Sequence, residues 1–240
     1  MTTPRRFALI AAAGASTRFG GEPKQYASLA GAPLLRHTID ALNDSIVLES
    51  VFVVLAPEDK LYVEKIGTVR GVEPLYCGGA TRGESVRNAL AAIGRHATAE
   101  DWVLVHDAAR PCIDVATLNR LLHELEEEPV GGLLAVPLSD ALKRVESGAG
   151  LRAVSTEPRE GLWCAQTPQM FRYAILQHAF RKVDCAKIVD EAQAVEGLGV
   201  KARLVRGSPD NIKVTYPEDI PLAEALLLRR RAMAAKPGAA

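Results

Sequence analysis

The chain has no net charge, no paired cysteines, few aromatics and no long apolar run. Its 240 residues carry 29 Lys and Arg against 29 Asp and Glu, so no global field recruits nucleic acid or a membrane surface. Cys77, Cys112, Cys164 and Cys185 are scattered without a Cys-x-x-Cys pair. That spacing speaks against zinc or a disulfide framework and for small buried hydrophobes in a reducing cytosol. No stretch approaches the ~20 apolar residues of a membrane span. After Met1-Thr-Thr-Pro-Arg-Arg6, the short apolar run reads as a first strand rather than as part of a signal peptide. A cytoplasmic protein with neither nucleic-acid nor membrane partners is expected. Two common nucleotide loops are missing as well. A Walker A loop needs Gly-Lys-Ser/Thr five residues after its first glycine, where Gly14 is followed by Phe19 and Gly20. A dinucleotide fingerprint needs a glycine at the position of Ser16.

What is present is alternation. Nearly half the residues are apolar, with 48% hydrophobic against 5% aromatic, which suits a parallel sheet covered by helices. Strands are expected at Phe7–Ala13, Val51–Leu55, Val72–Cys77, Trp102–His106 and Gly131–Val136. Helices are expected between them, at 33–42, Glu58–Ile66, Gly83–His96 and Val115–Glu127. Such alternation implies right-handed crossovers and an α/β doubly wound, mostly parallel sheet, whose ligands sit outside the carboxyl ends of strands. After Pro137 the rhythm breaks. Two short β-like pieces, Ala141–Val145 and Leu151–Ser155, flank Glu146-Ser-Gly-Ala-Gly150, a hairpin with a Gly-rich turn. It has too few apolar residues to fold alone. It therefore projects onto a second copy of the chain, or else covers its own subunit's site. Beyond it, helices are expected at Arg172–Lys182 and Asp190–Glu196, a strand at Val200–Val205 and an extended piece at Asn211–Val214. A final amphipathic helix is expected at Pro217–Arg231. The organisation is one domain over 1–231, with an arm at 138–163 and a disordered tail at 232–240.

The chemistry concentrates in three segments. Leu9-Ile-Ala-Ala-Ala-Gly-Ala-Ser-Thr-Arg-Phe-Gly-Gly-Glu-Pro-Lys-Gln-Tyr26 is a buried strand emptying into a loop with two cations, Arg18 and Lys24. Small residues let backbone approach a ligand, and N–H groups with those cations favour a bound anion such as a nucleoside triphosphate. The plainer alternative is a solvated βα loop. Val103-Leu-Val-His-Asp-Ala-Ala-Arg-Pro111 sets Asp107 just past a strand. There one or two carboxylate oxygens can hold Mg²⁺, phosphates and water completing its shell. Asp107 could equally cap the turn, with Arg110 neutralising it. His106 should point away from Asp107, because strand side chains alternate. Tyr76-Cys-Gly-Gly-Ala-Thr-Arg-Gly-Glu-Ser85 ends a strand and opens a helix whose free N–H groups accept an anion or base edge. Ser85 is placed to bond a base or ribose, or to cap the helix.

Together, the opening loop with Pro-Lys-Gln-Tyr, Val-His-Asp-Ala-Ala-Arg-Pro, Thr-Pro-Gln-x-Phe at 167–171 and Asp210-Asn-Ile-Lys-Val-Thr215 resemble the 2-C-methyl-D-erythritol 4-phosphate cytidylyltransferase family. The resemblance runs from about Phe7 to Leu228. It implies a Rossmann-like fold of the nucleotide-diphospho-sugar transferase type and a homodimer with exchanged arms. The implied reaction is Mg²⁺-dependent transfer of CMP from CTP to a polyol phosphate. By motif, Arg18 and Lys24 match a transition-state stabilising pair, while Arg159 and Lys213 match residues placing the acceptor, Arg159 in the partner's site. Ala12, Ala13, Gly14, Gly79 and Ser85 match positions around the cytidine. Asp107, Arg110 and Thr167 match substrate-binding positions, and Asp107 also the metal site. Two family threonines are replaced, by Ala141 and Val189. Each loss removes a hydroxyl that could bond the acceptor phosphate, worth about 1.5–3 kcal/mol. An enzyme for another polyol phosphate, such as ribitol 5-phosphate, therefore remains open. So does a non-catalytic CTP-binding regulator, which would bind CTP without releasing pyrophosphate.

Overall fold

A computed structural model describes residues 3–14, 16, 19, 23–146 and 151–234. The central strand β1 (Arg6–Ala11) shows why the layers form. Phe7 and Leu9 face one side, Ala8 and Ile10 the other, and all four are buried, so helices must cover both faces. A 3-10 turn at Lys24–Tyr26 and the small ladder of β2 (Ser28–Leu29) with β3 (Ala32–Pro33) lead into α1 (Leu34–Asn43). Then follow β4 (Ser50–Val54), α2 (Leu61–Lys65), β5 (Val72–Leu75), α3 (Arg82–Ile93), β6 (Trp102–Asp107), α4 (Val115–Leu125) and β7 (Gly131–Pro137). The hairpin strands are β8 (Leu142–Val145) and β9 (Ala153–Glu157). The chain closes with β10 (Trp163–Arg172), α5 (Tyr173–Lys182), α6 (Glu191–Glu196), β11 (Arg203–Arg206) and α7 (Asp219–Ala234).

The main sheet has seven strands in the order β5-β4-β1-β6-β10-β7-β11. All neighbours are parallel except β10, which runs antiparallel to both β6 and β7. One face packs Ile39 and Leu42 of α1 and Leu118 and Leu121 of α4 on Ala8, Ile10 and Leu104. The other packs Leu90 of α3, Leu176 and Phe180 of α5 and Val195 of α6 on Phe7, Leu9 and Val105. This is the α/β, mostly parallel class that the alternation implies and the Rossmann-like fold that the resemblance implies. The chain order reverses between β1 and β6, so their carboxyl ends flank a crevice.

Three expectations change. Strand β10 was not anticipated, because its middle is Gln166-Thr-Pro-Gln169 and an internal proline argues against a central strand. The β10–β7 register shifts between Ala165 and Gln169, which accommodates Pro168. Helix α2 is shorter than Glu58–Ile66, because the Asp59 carboxylate accepts the Leu61 and Tyr62 N–H groups at 2.9 and 3.0 Å and caps it. The 211–214 segment, expected only as an extended piece, joins no sheet and is held by Val214 N–H bonding Ala109 O at 2.8 Å. Helix α7 runs through Ala234, so residues 232–234 of the expected disordered tail are helical, and 235–240 lie outside the described residues. Its buried stripe is narrow: Ala223 and Leu227 are covered, but Leu222 and Leu228 are exposed.

The hairpin is present. Strand β8 pairs antiparallel with β9 from Leu142↔Glu157 to Val145↔Ala153; the turn residues 147–150 lie outside the described residues. Leu142, Val145, Val154, Leu162 and Trp163 are exposed along this arm. No helix among the described residues is long and apolar enough to cross a membrane.

Candidate active site

At the carboxyl ends of β1, β4 and β6 lies a cleft of about 590 Å³. Its floor is Ala12, Ala13 and Gly14 from the β1 end and Asp107 and Ala108 from the β6 end; Gly79, Arg82 and Ser85 form one wall, Lys24 and Lys213 another. Small residues are needed here for a concrete reason. A Cβ on Gly78 would come within 2.5 Å of the Ala13 Cβ, and one on Gly79 within 2.5 Å of the Glu84 Cβ. Only glycines let the two loops close over the crevice.

The opening loop is clamped by its own polar residues. Gln25 Nε2 donates to Ala12 O at 2.9 Å, and Lys24 N–H to Ser16 Oγ at 3.0 Å. The Lys24 ammonium donates to Val214 O at 3.0 Å, tying this loop to the segment that carries Lys213. Arg18 lies outside the described residues.

The start of α3 is more self-satisfied than the sequence suggests. Thr81 and Glu84 form a capping box. Ser85 Oγ donates to Thr81 O at 2.9 Å and accepts from Gly79 N–H at 3.0 Å. Thr81 rather than Ser85 caps the helix, and Ser85 lines the cleft.

Asp107 is the electrostatic centre. Its Oδ1 accepts from Arg82 Nε at 3.0 Å, its Oδ2 from Lys213 Nζ at 2.6 Å, and Arg110 Nε stands 4.0 Å away. Burial opposes ionisation, but Arg82 and Lys213 outweigh it and hold the carboxyl far below the usual carboxylate range. Behind it, Thr167 Oγ1 accepts the Asp107 N–H at 3.0 Å and lies 2.8 Å from His106 Nδ1. His106 Nε2 lies 3.1 Å from Arg110 O. One assignment satisfies every atom: the Thr167 hydroxyl donates to Nδ1 and a neutral Nε2–H donates to Arg110 O. Burial lowers the His106 pKa to about 4, so His106 is a neutral strut and is turned away from the cleft.

Two other residues sit off the cleft. Arg110 donates to Asn211 O at 2.6 Å and Ala165 O at 3.4 Å, so it braces the 211–214 segment. Arg159, after β9, is exposed and donates to Ser139 O at the foot of the arm. The structure thus gathers Ala12, Ala13, Gly14, Lys24, Gly79, Ser85, Asp107 and Lys213 around one space. Thr167 and Arg110 stand behind it and Arg159 outside it.

The family model of 2-C-methyl-D-erythritol 4-phosphate cytidylyltransferase (IspD) matches residues 7–229. The chain belongs to this family. It is 52% identical over 231 residues to the family enzyme of Dechloromonas aromatica (strain RCB), covering 95% of this chain and 99% of that protein. It is 50% identical over 226 residues to that of Nitrosospira multiformis, covering 92% and 97%. Among solved structures, a 4-diphosphocytidyl-2C-methyl-D-erythritol synthase superposes with TM-score 0.82 at 37% identity, covering 93% of this chain and 99% of that one. The Francisella tularensis IspD superposes with TM-score 0.78 at 32% identity, covering 92% and 99%.

Within this family fold, the residues missed from sequence are Arg82 and Glu191. The Arg82 guanidinium donates to both Glu191 oxygens, at 2.6 and 3.0 Å, as well as to Asp107. Burial pushes the Glu191 carboxyl up and Arg82 partly offsets it. In sequence Glu191 follows the N-cap Asp190 and reads as an ordinary first-turn acid; only its complete burial separates it from one.

Proposed function

We propose that the chain joins CTP and 2-C-methyl-D-erythritol 4-phosphate, giving 4-diphosphocytidyl-2-C-methyl-D-erythritol and pyrophosphate in isoprenoid precursor synthesis. The observation that carries this reading is one cleft at the sheet's reversal point, with Lys24 and Lys213 on its wall and the small residues Ala12, Ala13 and Gly14 on its floor, in a chain of this family. An acceptor phosphate oxygen attacks the α-phosphorus of CTP in line, and the bond to pyrophosphate breaks. A phosphate monoester is mostly ionised near pH 7, so the attack needs no general base, in keeping with the neutral, sequestered His106. The protein's work is to bring two anions together and to stabilise charge on the α-phosphoryl oxygens and leaving group. Lys24 and Arg18 are assigned to the triphosphate. Lys213, and Arg159 from the other subunit of a homodimer, are assigned to the acceptor phosphate. Ala12, Ala13, Gly14, Gly79 and Ser85 are assigned to the cytidine, with Arg110 and Thr167 supporting from behind.

For Mg²⁺ this donor set offers a single carboxylate. The described residues hold no group of three His, Cys, Asp or Glu side chains able to cage a metal, and both Asp107 oxygens already bond cations, so Asp107 would reach it at most through water or one shared oxygen, with triphosphate oxygens and water completing the shell. There it would supply charge neutralisation on the phosphates. The exposed apolar row of the arm supports dimer exchange, and the absence of a membrane-crossing helix among the described residues is compatible with a cytoplasmic enzyme. The test is purified protein with CTP, Mg²⁺ and a panel of phosphorylated polyols, following pyrophosphate. Release with methylerythritol phosphate is expected; preference for ribitol 5-phosphate, which Ala141 and Val189 keep in play, would reassign the acceptor. CTP binding without release would make the protein a regulator.

A further inference from the structure

Four ionic groups of alternating sign run from the interior to the cleft. Glu191 is 0% exposed at its side chain, Asp107 11%, Arg82 24% and Lys213 40%. The inner end is fixed on several sides. Asp190 caps α6 by accepting the Gln193 N–H at 2.9 Å and also accepts from Gln169 Nε2 at 3.0 Å. Ala192 N–H donates to Gln169 Oε1 at 2.8 Å. Glu191 is therefore locked to β10 through its neighbours, and its two oxygens occupy the two terminal nitrogens of Arg82. With its end-on fork on Glu191, Arg82 meets Asp107 through Nε alone, at Oδ1, and Asp107 Oδ2 meets Lys213 at 2.6 Å.

We propose that Glu191 is a positioning residue for the cleft: by holding the Arg82 fork it keeps Asp107 available to Lys213, and so aims the Lys213 ammonium. Without the Glu191 charge, the fork is free to turn onto Asp107 and take both its oxygens, the geometry guanidinium prefers with a carboxylate. Lys213 would then lose its anchor. Stability alone gives little reason for the arrangement, because an apolar replacement of a buried ion pair is often neutral or stabilising. Placement of a charge at the cleft does give one. The inference rests on the assignment of Lys213 to the acceptor phosphate.

The test is a double-mutant cycle on the full chain, Glu191→Gln against Lys213→Met. It is read as pyrophosphate release in single turnovers with excess enzyme, varying CTP and methylerythritol phosphate separately. For Glu191→Gln, acceptor kcat/KM should fall about 10–100-fold, the range found when groups behind a working ligand are lost. The KM for CTP should stay within about 2-fold, and in the Lys213→Met background the same change should cost less than about 2-fold. A merely structural Glu191 would lower Tm and leave those ratios alone. Equal costs in both backgrounds, a CTP KM rising in step with the acceptor KM, or a change confined to Tm would overturn the proposal. If Glu191→Gln does not fold, Arg82→Lys, which reaches one carboxylate but not both, takes its place in the cycle under the same criteria. Failure of the unaltered protein to turn over would sink the assignment of the reaction, and this proposal with it; turnover with an additive cycle sinks the proposal alone.

Discussion

Replacing Arg82 by Met keeps most of the apolar stem and removes the one cation that both Glu191 and Asp107 share. Asp107 retains Lys213 at 2.6 Å, so the damage falls on Glu191, whose side chain is fully buried. Breaking one partner out of such a pair costs about 3–5 kcal/mol, because the other charge stays buried and uncompensated. An independent ceiling comes from protonation. Glu191 escapes by binding a proton, which at pH 7.5 costs about 4 kcal/mol for a carboxyl with an ordinary pKa near 4.3. The two routes agree at about 3–4 kcal/mol, a large share of the ~5–15 kcal/mol that stabilises a typical domain. The pH dependence has a definite sign. Burial already raises the folded-state pKa of Glu191 in the unaltered protein, and losing Arg82 raises it further, so the variant loses more stability as pH rises through that pKa. In the unaltered protein Asp107 is depressed partly by Arg82, and its contribution is lost only as pH falls through its low folded value. Between pH 7.5 and 5.5 only the Glu191 effect operates, and it narrows the gap between the two proteins as pH falls, by up to about 1.4 kcal/mol per pH unit for one proton. Urea unfolding at fixed protein concentration, at pH 7.5 and 5.5, measures this gap. The midpoint should drop by about 1 M or more at pH 7.5 for a slope of up to about 3 kcal/mol/M. Adding Glu191→Leu to Arg82→Met should restore much of the loss. A cost under about 1 kcal/mol, or a double variant no better than the single, would refute the claim that this pair is a buried, mutually dependent unit.

The other expectations are simpler. Lys24→Ala should lower turnover about 10²-fold or more if its ammonium acts as a donor to developing phosphoryl charge; near-normal kcat would remove it from that role. Arg159→Ala should raise the acceptor KM more than that of CTP, and mixing it with Lys24→Ala protein should restore some activity if arms are exchanged; no recovery on mixing would argue for arms that serve their own subunit. Its pKa near 4 means that His106 contributes stability above its unfolded pKa of about 6.5. That contribution is lost as pH falls toward 4, and the ring protons should show no NMR titration between pH 8 and 5.5. Gly83→Ala would press a Cβ to within 2.5 Å of the Cys185 carbonyl oxygen, and thermal unfolding should report a loss of about 1–3 kcal/mol.

Where sequence sufficed and where it did not follows from how each structure is encoded. Strand β1 is legible because Phe7, Ala8, Leu9 and Ile10 are apolar without interruption, which water tolerates only between two covered faces. The Gly14 loop and Asp107 are legible for a related reason: each ends such a run, and strand ends in this architecture meet at the crevice. Strand β10 breaks the rule by burying polar groups. Gln166 donates to Ser208 O, Thr167 bonds His106, and Gln169 serves both Asp190 and Ala192. Each of these residues looks like loop until its partner is known, and every partner is far away in the chain.

The same logic governs the site's electrostatics. Arg82 and Glu191 are 109 residues apart, one in the first turn of α3 and the other in the first turn of α6. Glu191 is not unusual locally, since an acid early in a helix suits the dipole whether exposed or buried; Arg82 opposes the dipole at the start of α3, but its partner is not visible in the sequence. What converts them into one unit is distant packing: Gln169 of β10 holds the start of α6, and α5 packs against both α3 and α6. Because the unreadable strand and the unreadable ion pair have a common cause, they stand or fall together. If Gln169→Leu, which removes the bonds to Asp190 and Ala192, left the Arg82–Glu191 coupling energy unchanged in a double-mutant cycle, β10 would not be what holds these charges in register.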